Sequence, residues 1–223
     1  MFTRNNDAFT WLDYNRCPDK ESPLLVMLHG YGSNERDLIM LAPSLDPRLR
    51  IVSVRAPQML APEMFGWFPI DFTPDGITAD HEAAINVADQ FTVFLKKMIA
   101  TLQPAGDKAF LMGFSQGAVI SYMTAFRNPE LLHGVTALSG QLPDSRPEAD
   151  ALPEGLANIP FLVQHGEFDD VLPIAKGRDA DAWLSDKIAD YTYCEYPMAH
   201  QTDHASIEQL RSWLSERIDR ALS

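Results

Sequence analysis

The chain has 223 residues, 46% of them hydrophobic and 10% aromatic, with a formal net charge of −13. That length and apolar content suit one domain around a substantial core, and the aromatic content excludes a disordered chain despite the charge. Nucleic acids and anionic membrane surfaces both require positive patches, so neither is expected as a partner of so acidic a protein.

The opening stretch, "MFTRNNDAFTWLDYN", has no apolar core or small-residue cleavage site of a secretory signal. No apolar run approaches the ~20 residues of a membrane-spanning helix, so no stable membrane insertion is expected. Cys17 and Cys194 are isolated and lack the spacing of a metal site. Both read as reduced thiols, and the expected location is the cytoplasm.

In chain order, "FTWLDY" (9–14) alternates and predicts an edge strand. "LLVML" (24–28), "IVSV" (51–54), "AFLMG" (109–113), "GVTAL" (134–138) and "PFLVQ" (160–164) are almost wholly apolar. Strands buried on both faces of a parallel sheet have that composition. "YTYCEY" (191–196) predicts the last strand. Helical periodicity covers 79–102, 116–126, 174–188 and 203–221, with Asp203 as a candidate cap of the last. Strands alternating with helices imply an α/β architecture, a mostly parallel sheet with helices on both faces, and no linker divides residues 1–223. Between 56 and 78 the alternation fails. This proline- and aromatic-rich stretch predicts a long loop that shapes a pocket, with Phe65, Trp67 and Phe68 as candidate substrate-binding walls.

"GFSQG" (113–117) places Ser115 where a buried strand meets a helix, the setting in which G-x-S-x-G presents a nucleophile on a tight elbow. A serine hydroxyl needs a base at neutral pH. His29 and His165 precede glycine directly after apolar strands and suit turn support. His81 and His133 suit solvated or supporting roles. His200 lies on the loop between the last strand and the last helix, on the same sheet edge as Ser115, and is the expected base; His204 is the alternative. A carboxylate must hold the imidazole, and "HGEFDDVLP" (165–173) offers Glu167, Asp169 and Asp170. The order serine, acid, histidine is that of the α/β-hydrolase fold.

Together "LHGYGSNERDL" (28–38), "RAPQ" (55–58), "GFSQGA" (113–118), "HGEFDDVLP" (165–173) and "YPMAH" (196–200) make the sequence resemble the phospholipase/carboxylesterase family of α/β-hydrolases, which includes acyl-protein thioesterases. The resemblance runs from about residue 24 to the C-terminus. It implies Asp169 as the acid and the backbone N–H groups of Tyr31 and Gln116 as the oxyanion hole. The implied function is hydrolysis of small or medium carboxylic esters or thioesters through an acyl-serine, with no metal and no cofactor. An interfacial lipase or lysophospholipase, and a non-catalytic binding protein on the same scaffold, are the alternatives. A monomer and a homodimer that covers the 56–78 loop are both open.

Overall fold

The computed structural model describes residues 2–5, 9–16, 22–73, 76–148 and 151–222; Cys17 lies outside them. Eight strands form one sheet in the order β1 (Phe2–Asn5), β2 (Thr10–Asn15), β4 (Arg50–Val54), β3 (Leu24–Leu28), β9 (Ala109–Phe114), β10 (Leu132–Leu138), β11 (Phe161–Gly166), β12 (Tyr191–Tyr196). From β4 to β12 every neighbouring pair is parallel; β2 runs antiparallel to both β1 and β4. The edge strand is therefore β1, not the 9–14 segment. Its four residues, "FTRN", are too short and polar to announce a strand, and pairing with β2 supplies what periodicity does not.

Alternate residues of the central strands enter opposite cores. In β3, Leu24, Val26 and Leu28 pack with α1 (His81–Leu102), α2 (Gln116–Arg127) and α3 (Ala175–Leu184). Leu25 and Met27 face α4 (His204–Ala221) and the short 3-10 helix at Leu38–Ser44. Burial on both sides explains the uninterrupted apolar runs. Asp80 caps α1 by accepting from the Ala83 N–H at 2.9 Å. At α4, Asp203 and Ser206 form a reciprocal capping box. The third helix stops at Leu184, short of the expected 188, because Ser185 and Asp186 are weak helix formers. Ile188 turns back into the core instead.

The stretch 56–78 is not a structureless loop. It holds two antiparallel hairpins, β5 (Gln58–Ala61) with β6 (Met64–Gly66), and β7 (Ile70–Thr73) with β8 (Gly76–Ala79). Pro57, Pro62 and Pro69 fall between strands, where a missing N–H costs nothing. Because β3, β9, β11 and β12 are parallel, the segments that follow them emerge at one edge of the sheet, and the site forms there.

Candidate active site

Ser115 stands between β9 and α2 with φ 53° and ψ −116°, a strained conformation for a residue with a side chain. The surrounding backbone enforces it. A Cβ on Gly113 would lie 2.2 Å from the Gly117 carbonyl oxygen, and one on Gly117 would lie 2.0 Å from that of Leu28. Only glycines permit the helix to start so close to two strands. The Ser115 N–H donates to the Leu138 carbonyl at 2.9 Å, which fixes the elbow against β10.

The loop after β11 carries Asp169, whose side chain is fully buried. Its Oδ1 accepts the N–H groups of Val171 at 3.0 Å and Leu172 at 2.7 Å. Its Oδ2 accepts from Nδ1 of His200 at 2.7 Å. A buried carboxylate is tolerated when its lone pairs are satisfied in this way. The same contact puts the His200 proton on Nδ1 and leaves Nε2 as the basic nitrogen. The His200 ring packs on Phe114, the residue before the serine, with centroids 4.9 Å apart. Glu167 and Asp170 are exposed, and His204 points to solvent beside Glu208.

His29 and His165 hold turns. Nε2 of His29 accepts the Ala56 N–H at 3.0 Å, so Nδ1 carries the proton and donates to the Gly30 carbonyl at 2.7 Å. Burial holds the His29 pKa below the ordinary histidine value. His165 donates from Nε2 to the Leu172 carbonyl at 2.8 Å, bracing the Asp169 loop from beneath.

Ser115 and His200 line one cavity of about 260 Å³, together with Tyr31 and Gln116. Its apolar walls include Phe68, Ile70, Ile77, Val119 and Leu172. Phe68 thus faces the cavity. Phe65 and Trp67 do not: Trp67 packs against Phe9 and Phe91, and Phe65 lies under the Arg55 guanidinium at 4.5 Å. The N–H of Gln116 opens a helix and has no intrahelical acceptor. Tyr31 occupies the second position of a turn from Gly30 to Ser33, in which Gly32 takes the φ of +80° that a type II turn needs.

Two features gave no signal in the sequence reading. Arg55 donates to both oxygens of buried Glu35 at 2.6 Å. Burial would raise the Glu35 pKa, but these bonds outweigh it and hold it below the ordinary value. The Gln116 carboxamide is also engaged, bonding the backbone of Trp67 and Phe68. The "RAPQ" and "SNERD" words contained the first pair, yet nothing local says that they meet. Among the described residues no group of three or more His, Cys, Asp or Glu is placed to hold a metal ion, and no helix is long and apolar enough to cross a membrane.

A parallel sheet with a serine elbow, and a histidine–carboxylate pair on later strand-end loops, defines an α/β-hydrolase. The chain belongs to the phospholipase/carboxylesterase family, whose sequence profile it matches over residues 16–218. It is similar to acyl-protein thioesterase 1 of Aspergillus fumigatus, with 30% identity over 89% of each chain. Acyl-protein thioesterase 1 of Emericella nidulans is 27% identical over 89% of this chain and 92% of that one. In fold it resembles the Bacillus cereus carboxylesterase, with a TM-score of 0.78 at 24% identity, covering 97% of this chain and 96% of the other. The protein is a carboxylesterase-type hydrolase.

Proposed function

We propose that the protein hydrolyses small or medium acyl esters or thioesters through an acyl-serine. The observation that carries this reading is that Ser115 and His200 share one apolar cavity while His200 is held by buried Asp169. The Ser115 oxygen adds to the acyl carbonyl as its proton passes to Nε2 of His200. The oxyanion is held by the N–H groups of Tyr31 and Gln116. The carbonyl re-forms, the C–O or C–S bond breaks, and His200 returns the proton to the leaving alcohol or thiol. Water then adds to the acyl-serine with the same histidine as base, and the acid leaves. At about 260 Å³ the cavity falls just below the usual range for drug-sized ligands, which supports a short or medium acyl group over a long one. Phe68, between the two hairpins, and Ile70 and Ile77 of the second hairpin supply one wall.

The test is hydrolysis of p-nitrophenyl esters from acetate to palmitate, in solution and in micelles, with Ser115→Ala alongside. Turnover should peak at short or medium chains and fall at least about a thousand-fold in Ser115→Ala. Undiminished turnover in that variant would overturn the acyl-serine. A rate that rises only with micellar long chains would favour the interfacial reading.

A further inference from the structure

The two N–H groups assigned to the oxyanion sit on different elements, Tyr31 on the turn after β3 and Gln116 at the head of α2. An oxyanion hole works only when its donors converge on one point, because the stabilisation comes from dipoles fixed in advance. The segment Phe65–Phe68, which ends the first hairpin and leads to the second, is bonded to both elements.

On the Tyr31 side, the Gly32 N–H donates to the Phe65 carbonyl and the Phe65 N–H to the Ser33 carbonyl, each at 2.8 Å. The Trp67 indole N–H donates to the His29 carbonyl, also at 2.8 Å. The turn is therefore held on both sides of Tyr31. On the α2 side, the Gln116 Oε1 accepts the Trp67 N–H at 2.7 Å, and the Gln116 Nε2–H donates to the Phe68 carbonyl at 2.7 Å. Gln116 is only 6% exposed. Both ends of its carboxamide are bonded to backbone, which fixes the side chain against the Trp67–Phe68 segment. Trp67, 2% exposed, spends its one polar hydrogen on His29.

We propose that Trp67 and the Gln116 side chain are positioning residues, and that they brace the Tyr31 turn against the head of α2 to set the spacing of the two oxyanion donors. The proposal rests on the acyl-serine reading above. Neither side chain touches the reacting atoms. Losing the brace leaves the cavity walls and the Ser115–His200–Asp169 set in place, but lets the two N–H groups drift apart.

Trp67→Phe removes the indole N–H and keeps an aromatic ring in the core. Gln116→Met keeps the length of the side chain and removes both of its bonds. Phe94→Leu serves as a control, because Phe94 packs in the same aromatic cluster, against Phe9, Trp11 and Phe91, yet makes none of the five bonds. For each, kcat and KM are measured on one p-nitrophenyl ester, with the Ki of an alkyl trifluoromethyl ketone. In the ketone adduct the serine oxygen bonds to the carbonyl carbon, the proton passes to His200 and the carbonyl oxygen becomes the oxyanion.

The brace variants should lose about 10- to 100-fold in kcat with KM within about two-fold, and the ketone should weaken in proportion to the fall in kcat/KM. The double variant should lose less than the product of the two single losses, since both act on one linkage. Phe94→Leu should keep kcat within about three-fold. If KM rises while kcat holds, if ketone affinity is unchanged, or if Phe94→Leu loses as much, the brace is overturned. Should Gln116→Met not fold, Trp67→Phe decides by the same split. Full turnover in Ser115→Ala would instead remove the acyl-serine reading, and the brace with it.

Discussion

The serine elbow and the hairpin segment 58–79 meet across one cavity, yet they are specified in opposite ways. The elbow is fixed by backbone packed on backbone: Gly113 against Gly117, Gly117 against Leu28. On the side facing the elbow the hairpin segment is held by side-chain bonds, between the Gln116 carboxamide and the backbone of Trp67 and Phe68, and from the Trp67 indole to the His29 carbonyl. Close backbone contact leaves little freedom to the sequence, whereas side-chain bonds can be exchanged and re-aimed. In the reading proposed above, the nucleophile rests on the first kind of support, while one cavity wall and the spacing of the oxyanion donors rest on the second.

The same substitution in the two regions should therefore have different consequences. Gly117→Ala drives a Cβ into the Leu28 carbonyl, which cannot yield without moving β3. It should destabilise by several kcal/mol and remove turnover, a large part of the roughly 5–15 kcal/mol that holds a typical domain together. Gly66→Ala brings its Cβ to 2.9 Å from the Tyr31 ring, a side chain that can swing aside. Stability should change by about 1 kcal/mol or less, while KM or chain-length preference shifts because Tyr31 lines the cavity. Urea unfolding and ester kinetics on both variants check the contrast, and equal losses of stability would erase it.

Asp169→Asn probes the other backbone-fixed loop. The amide oxygen can still accept from Val171 and Leu172, so the fold should persist. Its NH₂ group, turned toward His200, would favour the wrong tautomer of the ring. The expected loss in kcat is about 10³- to 10⁴-fold with little change in melting temperature. A loss below ten-fold would remove Asp169 from the role assigned to it.

This contrast also explains what the sequence made legible. "GFSQG" and the apolar strands are local patterns, and each states its own conformation: buried on both faces, turning tightly, opening a helix. Asp169 was singled out from its neighbours by family resemblance, and burial distinguishes it physically from exposed Glu167 and Asp170. The hairpins were missed because proline-rich spacing masked short strands whose prolines all lie outside the pairing, among the residues described. Strand β1 was missed because a four-residue edge strand owes its conformation to β2. Trp67 read as a pocket wall from its place in the aromatic-rich stretch, and the indole bond to His29 with packing on Phe9 and Phe91 shows it turned inward. The Glu35–Arg55 pair was invisible for the same reason: twenty residues and a strand separate groups that the sheet brings together.

His29 stands at the seam between the two regions, and its protonation should loosen that seam. Its Nε2 must stay unprotonated to accept the Ala56 N–H, where the chain leaves β4 for the first hairpin. Burial places its folded pKa below that of the unfolded chain. As pH falls through the unfolded value of ~6.5, the unfolded chain binds a proton that the folded one refuses. The contribution is fully present above that value and is lost as the pH drops, at no more than about 1.4 kcal/mol per pH unit for this one group. Urea unfolding from pH 7.5 to 5 should show a steeper decline for the parent than for His29→Gln, which cannot titrate. Parallel declines would mean that the seam takes up no proton there, and that the histidine serves the turn by shape alone.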